Sequence, residues 1–256
     1  MLSTVAVATL FNVFFEYSMR GMNHLIAQPL LLPLLIYTYF TYYTLLEDLI
    51  LRYRLKDYQA MVISFFLGTI YQCYVSGDAF IKPNFFGINL GRLLFVTLVW
   101  WGAIQTVMTM YLANRLAPRR WDRKPLSQQA WITVLLLNAF AVIVFQNSGI
   151  PKGTLLGKLT MIIILILTTR VFFRLLPPAE QRNRPPEFRP DVFIDVLSAF
   201  TVAVFILSSV ALARDPVVLG SSRVNAPAVK AILLWTSIVA ISMLVYRLVT
   251  RRPISV

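Results

Sequence analysis

The sequence predicts an all-α, polytopic transmembrane helix bundle of eight spans with both termini cytoplasmic. Three observations carry that reading. The 256 residues are 58% hydrophobic but only 14% charged, with a mean hydropathy of +0.69, whereas a soluble domain usually carries about 25% charged residues. The apolar residues come in runs of roughly 17–25, the length that crosses a hydrocarbon core as a helix. The 24 Lys and Arg against 11 Asp and Glu give a net charge of +13. These cations fall in short loops between apolar runs, which is the positive-inside pattern rather than a nucleic-acid-binding face.

The chain reads as one integral membrane domain, 1–256. Met1–Met19 is the first span, shortened in effect by Glu16 near its end; if it does not cross, the count is seven. It lacks the cationic n-region of a signal peptide and reads as retained. Arg20–Gln28 is a polar break with the sole histidine, His24. Residues 29–46 form the second span, with Pro33 predicting a kink and Tyr37, Tyr39, Tyr42 and Tyr43 supplying aromatic surface. Glu47–Tyr58 alternates charge with Leu and Ile and reads as a short interfacial turn.

Residues 59–75 form the third span, and Ser76–Asn89 a loop containing Gly77, Pro83 and Gly87. Residues 90–113 are the fourth span, rich in Thr, Met and Trp. Asn114–Lys124 follows, with five cations in eleven residues. Residues 129–145 are the fifth span, Asn147–Gly153 a tight turn and 154–176 the sixth span. Pro177–Pro190 is too rich in proline for a long helix. Residues 191–213 form the seventh span, Asp215–Pro227 a Gly/Ser/Pro loop and 228–249 the eighth.

Placing Asn114–Lys124 in the cytoplasm puts 16 of the 24 cations on that side. An Arg-Leu pair recurs at the inward helix ends: Arg54-Leu55, Arg115-Leu116, Arg174-Leu175 and Arg247-Leu248. It reads as a snorkelling cation beside an apolar neighbour, or as the trace of an internal repeat. Of the central loop's cations Arg115, Arg119, Arg120, Arg123 and Lys124, the last four exceed what orientation needs. They are expected to dock anionic lipid or a protein partner, with Trp121 anchoring the loop at the headgroups.

Three further sets of residues could carry chemistry. Glu187, Asp191 and Asp195 recur at four-residue spacing, which on a helix aligns carboxylates on one face for a magnesium–diphosphate site. The spacing is similar to the Asp-rich motifs of membrane prenyltransferases, but those enzymes carry two, and Glu47, Asp48 and Asp57 lack the spacing for a second. The alternative is that Asp191 caps a helix and Asp195 pairs with an arginine. Glu16, Arg20 and His24 would align at the outer face as a proton-responsive set if the helix were continuous, but Gly21 argues for a break. Thr38, Thr41, Gln72, Gln105, Thr109 and Asn138 lie inside apolar runs and form either a solute path or interhelical hydrogen-bond glue. Trp100 and Trp101 read with the tyrosines as interfacial or packing residues.

The one cysteine, Cys73, excludes an internal disulfide and any cysteine metal cluster. Nucleotide-binding, zinc-protease and serine-hydrolase motifs are absent. The expected function is a non-catalytic integral subunit of the cell (inner) membrane that anchors partner proteins or lipids in a larger complex. It needs no cofactor or metal and does not bind nucleic acid. The alternatives are a permease for a small or lipidic solute and a lipid-modifying enzyme using Asp191 and Asp195.

Overall fold

The computed structural model describes residues 2–146, 152–176, 188–213 and 225–256. Its described residues are helical, with no named strand; a single bridge pairs Phe85 with Ile88. The long helices are α1 (Leu2–Arg20), α3 (Leu31–Tyr53), α4 (Asp57–Tyr74), α5 (Leu90–Leu116), α6 (Gln128–Gln146), α7 (Leu155–Leu175), α8 (Val192–Leu212) and α9 (Ala226–Thr250); α2 is the short Asn23–Ala27. Five of them, α1, α5, α7, α8 and α9, are long and apolar enough to cross a membrane.

Local chemistry sets the helix ends. Asn89 begins α5 by accepting the Arg92 N–H at 3.0 Å, and Thr154 begins α7 by accepting that of Gly157 at 3.2 Å. Asp191 caps α8 by accepting from Phe193 N and Ile194 N at 3.0 and 3.3 Å. Each removes an orphan donor of a first turn. Gly21, at φ 89°, ends α1 in a conformation that favours glycine, and a Cβ there would meet the Ala213 carbonyl oxygen at 2.3 Å.

Two expectations change here. The stretch expected as an interfacial turn, Glu47–Tyr58, is helical through Tyr53, and Glu47 and Asp48 are fully buried. Partners distant in the chain, described below, make that burial tolerable. Pro33 lies in the first turn of α3, where its missing N–H has no helical partner to lose, so it calls for no kink.

The long helices alternate in direction, as contacts at the two ends of the bundle show. At one end Thr4 Oγ1 donates to Ala117 O at 3.0 Å, Gln59 Nε2 to Leu175 O at 2.5 Å and Ile254 N to Asp57 Oδ2 at 3.1 Å. At the other, Asn225 Nδ2 donates to Arg20 O at 2.9 Å, Arg92 pairs with Asp78 at 2.6 Å and Thr160 donates to Phe86 O at 2.9 Å. The first end collects every described loop in which the sequence concentrates cations, together with the start of α1 and the segment after α9.

Helix α5 is the central member, packed by α1, α4 and α9, while α6 lies on α3 and α4, α7 on α4 and α8 on α9 and α1. The side chains of α7 point largely outward, and Leu156, Ile163, Ile166 and Phe173 are exposed. From Val96 to Met108, α5 is wound as a π-helix with i→i+5 bonding. The core beside it is aromatic: Trp101 stands 5.0 Å from both Tyr42 and Tyr71 and 6.4 Å from Tyr39, centroid to centroid. Trp101 and these tyrosines therefore pack the interior, through an edge-to-face contact with Tyr42 and tilted contacts with Tyr39 and Tyr71.

Candidate functional site

The charged end of the bundle holds the densest set of polar side chains. Its centre is Arg119, which donates from Nε to Glu47 Oε1 at 2.7 Å and from Nη2 to Glu47 Oε2 at 2.6 Å. Both side chains are wholly buried. The remaining Nη1 donates to the Val256 main-chain oxygen at 2.5 Å, and Asn114 Oδ1 accepts the Arg119 N–H at 2.8 Å. The fork matches a carboxylate in two parallel bonds, which a lysine could not do. Arg119 is thus inside the protein rather than offered to lipid or partner.

Trp121 also departs from expectation. Arg54 and Arg119 stand over its ring at 4.7 and 5.1 Å, and Arg54 Nη2 donates to its carbonyl at 3.2 Å. Two cations contact one aromatic ring, so Trp121 closes the loop onto the bundle. Burial and the nearby Arg119 charge lower the Arg54 pKa from its ordinary value.

Five acidic side chains around this centre are engaged, while Asp122 is exposed and makes no ion pair among the described residues. Asp48 accepts from Arg52 at 3.1 Å, from the Leu126 N–H at 2.5 Å and from Trp131 Nε1 at 2.6 Å. Asp57 pairs with Arg247 at 3.0 Å and accepts the Ile254 N–H at 3.1 Å. Burial raises the Asp57 pKa, partly offset by the Ile254 N–H and the Arg247 charge. Asp191, besides capping α8, accepts from the Tyr246 hydroxyl. Asp195 accepts from Tyr111 OH at 2.7 Å and lies 3.7 Å from exposed Arg115, while the same Tyr111 oxygen accepts the Asp191 N–H at 2.9 Å. Glu187 lies outside the described residues, as do Arg182, Arg184, Arg214 and Arg223.

Of the central loop's cations, Arg120, Arg123 and Lys124 remain exposed and make no ion pair among the described residues. Sequence reasoning missed Glu47, Asp48, Asp57, Tyr111, Trp131 and Tyr246 as members of this end. The one signal for them was spacing: Tyr39, Tyr43 and Glu47 recur every four residues, so one face of α3 is polar along its length.

The mid-bundle residues divide by role. Asn138 Oδ1 accepts from Tyr71 OH at 2.6 Å and from Thr41 Oγ1 at 3.3 Å, joining α6 to α4 and α3. Ser64 and Thr106 bond each other and the Tyr42 hydroxyl. Thr38 and Thr109 instead bond the main chain of their own helices, at Leu34 O and Ile104 O. Gln72 Oε1 and both polar side-chain atoms of Gln105 are buried with no hydrogen-bond partner.

At the outer end Glu16 pairs with Arg20 at 3.2 Å and accepts from Tyr39 OH at 2.5 Å. His24, past the Gly21 break, is fully buried against Tyr17, and neither ring nitrogen has a hydrogen-bond partner. Burial first, and Arg20 second, lower its pKa. Among the described residues no three His, Cys, Asp or Glu side chains gather where a metal ion could be held. Compared with protein-family models, curated proteins and solved structures, the chain matches none.

Proposed function

We propose that this chain is a non-catalytic integral subunit of the cell (inner) membrane that anchors partner proteins or lipids in a larger complex. It crosses eight times, with the charged end and both termini cytoplasmic. The observation that carries the reading is the engagement of the carboxylates at the charged end. Glu47, Asp48, Asp57, Asp191 and Asp195 each hold a cation, a helix N-terminus or a hydroxyl. A general base or metal ligand needs a lone pair facing a substrate, and Glu47, Asp48 and Asp57 are buried with theirs turned to the fold. Arg120, Arg123 and Lys124 meanwhile stay on the surface to meet acidic groups. The Thr41–Asn138–Tyr71 bonds act between helices, as glue.

Extraction in a mild detergent, followed by size measurement and identification of co-purifying chains, tests this. Stoichiometric partner chains are expected. A monodisperse monomer that moves a solute across liposomes rejects the proposal.

One observation favours a second reading, a permease for a small or lipidic solute: the two unpartnered polar atoms of Gln105 in the interior. That reading requires Gln105→Leu to abolish flux while expression persists.

A further inference from the structure

The charged end is notched by a cleft of about 300 Å³, at the lower end of the volumes that hold small ligands. It opens between the start of α4, the end of α5, the approach to α8 and the segment after α9. Lys56, Arg189 and Arg252 line it, with Asp191 as the one acidic side chain and the Val256 main chain beside them. The Asp191 carboxylate offsets one of these three cations, while its oxygens are taken up by the Phe193 and Ile194 N–H groups and by Tyr246. Asp57, at the first turn of α4, is likewise held by Arg247 and the Ile254 N–H. Lys56 and Arg252 make no ion pair among the described residues, and both are exposed. The rest of the wall is apolar, with Leu55, Phe188 and Ile254.

A cationic rim over an apolar wall, at the end of a helix bundle, is the chemistry that receives an anionic lipid headgroup. We infer that this cleft binds the phosphate of an anionic phospholipid, with Lys56 and Arg252 as its principal charged contacts. The inference rests on the proposal that this end faces the headgroups, and it names a site and a lipid class that proposal lacks. It also separates two sets of cations. Arg120, Arg123 and Lys124 sit on an open loop, whereas Lys56 and Arg252 share a concave surface.

Native mass spectrometry of the purified chain, with phosphatidylglycerol and phosphatidylcholine titrated in parallel, tests it. The wild type is expected to retain phosphatidylglycerol preferentially. Each neutralisation, K56Q or R252Q, lowers that affinity about fivefold, from the loss of one cation at the lipid surface. The R170Q/R174Q double variant, exposed near the same end but outside the cleft, keeps the preference. Equal loss in R170Q/R174Q would reduce the effect to diffuse surface charge and overturn the site. So would unchanged binding in K56Q/R252Q. Displacement of the lipid by millimolar inorganic phosphate would make the ligand a soluble anion and overturn the lipid assignment. Should the double variant elute abnormally, the two single variants read the same ratio. Loss of lipid preference leaves co-purification of partner chains untouched, so the two proposals fail separately.

Discussion

Glu47 and Arg119 stand 72 residues apart in the chain and form a two-pronged ion pair with no solvent exposure. It ties the last turns of α3 to the loop after α5. Removing one partner leaves the other charge buried alone, which costs about 3–5 kcal/mol. Glu47→Ala is therefore expected to lower the thermal midpoint sharply in detergent. Replacing the pair together, Glu47→Leu with Arg119→Met, should restore most of the loss. A double variant as unstable as the single would show that the fork contributes more than charge compensation.

Gly87 and Gly157 bring the loop before α5 onto the first turns of α7. A Cβ on Gly87 would lie 2.5 Å from Gly157 N, and one on Gly157 would lie 2.5 Å from Gly87 O. Gly87 also holds φ 75°. Gly157→Ala should cost about 1–3 kcal/mol by overpacking, and Gly87→Ala at least as much because strain adds to the clash. Denaturation in mixed micelles measures both. An unshifted midpoint for Gly157→Ala would mean that α7 moves outward freely.

Asn138 joins three helices through Tyr71 and Thr41. Interhelical bonds of this kind are worth roughly 0.6–2 kcal/mol. Asn138→Leu is expected to lower the melting midpoint modestly and leave expression and partner binding intact. Loss of partner binding with an unchanged midpoint would give Asn138 a role other than glue.

Desolvation first, and Arg20 second, lower the His24 pKa from 6.5. The unfolded chain binds that proton more readily, so stability rises with pH across the window at and below 6.5 and is lost as pH falls through it. The midpoint should be lower at about pH 5.5 than at about pH 7.5, and His24→Leu should flatten the difference. The raised pKa of Asp57 and Asp78 acts in the opposite sense, from 3.8 upward. The comparison with the variant therefore isolates His24, and an identical slope in His24→Leu would assign the dependence to other groups.

The apolar runs made α1 and α5 to α9 legible to within about three residues, because membrane-length hydrophobicity is a local property. The end of α3 was not legible. Glu47, Asp48 and Arg52 look like an interfacial turn until Arg119, Leu126 and Trp131 arrive from 72 to 83 residues away. The same limit hid the roles of Arg119 and Trp121. A cluster of cations reads as surface charge, and only the fold shows that one of them is enclosed. The Gly21 break was readable from the residue itself, since its conformation is set locally.

The π-wound stretch of α5 changes how its residues line up. At 3.6 residues per turn, positions five apart point roughly 140° away from each other. With i→i+5 bonding from Val96 to Met108 the turn is wider, and the pairs Trp100/Gln105 and Trp101/Thr106 each come closer to a shared face of the rod. A helical wheel drawn from the sequence would scatter these four side chains around the rod, and a substitution scan of the segment should repeat at an interval longer than an α-helical turn. Removing one residue there offers the chain a tighter coil, but it would rotate Tyr111 and Arg115 away from Asp195.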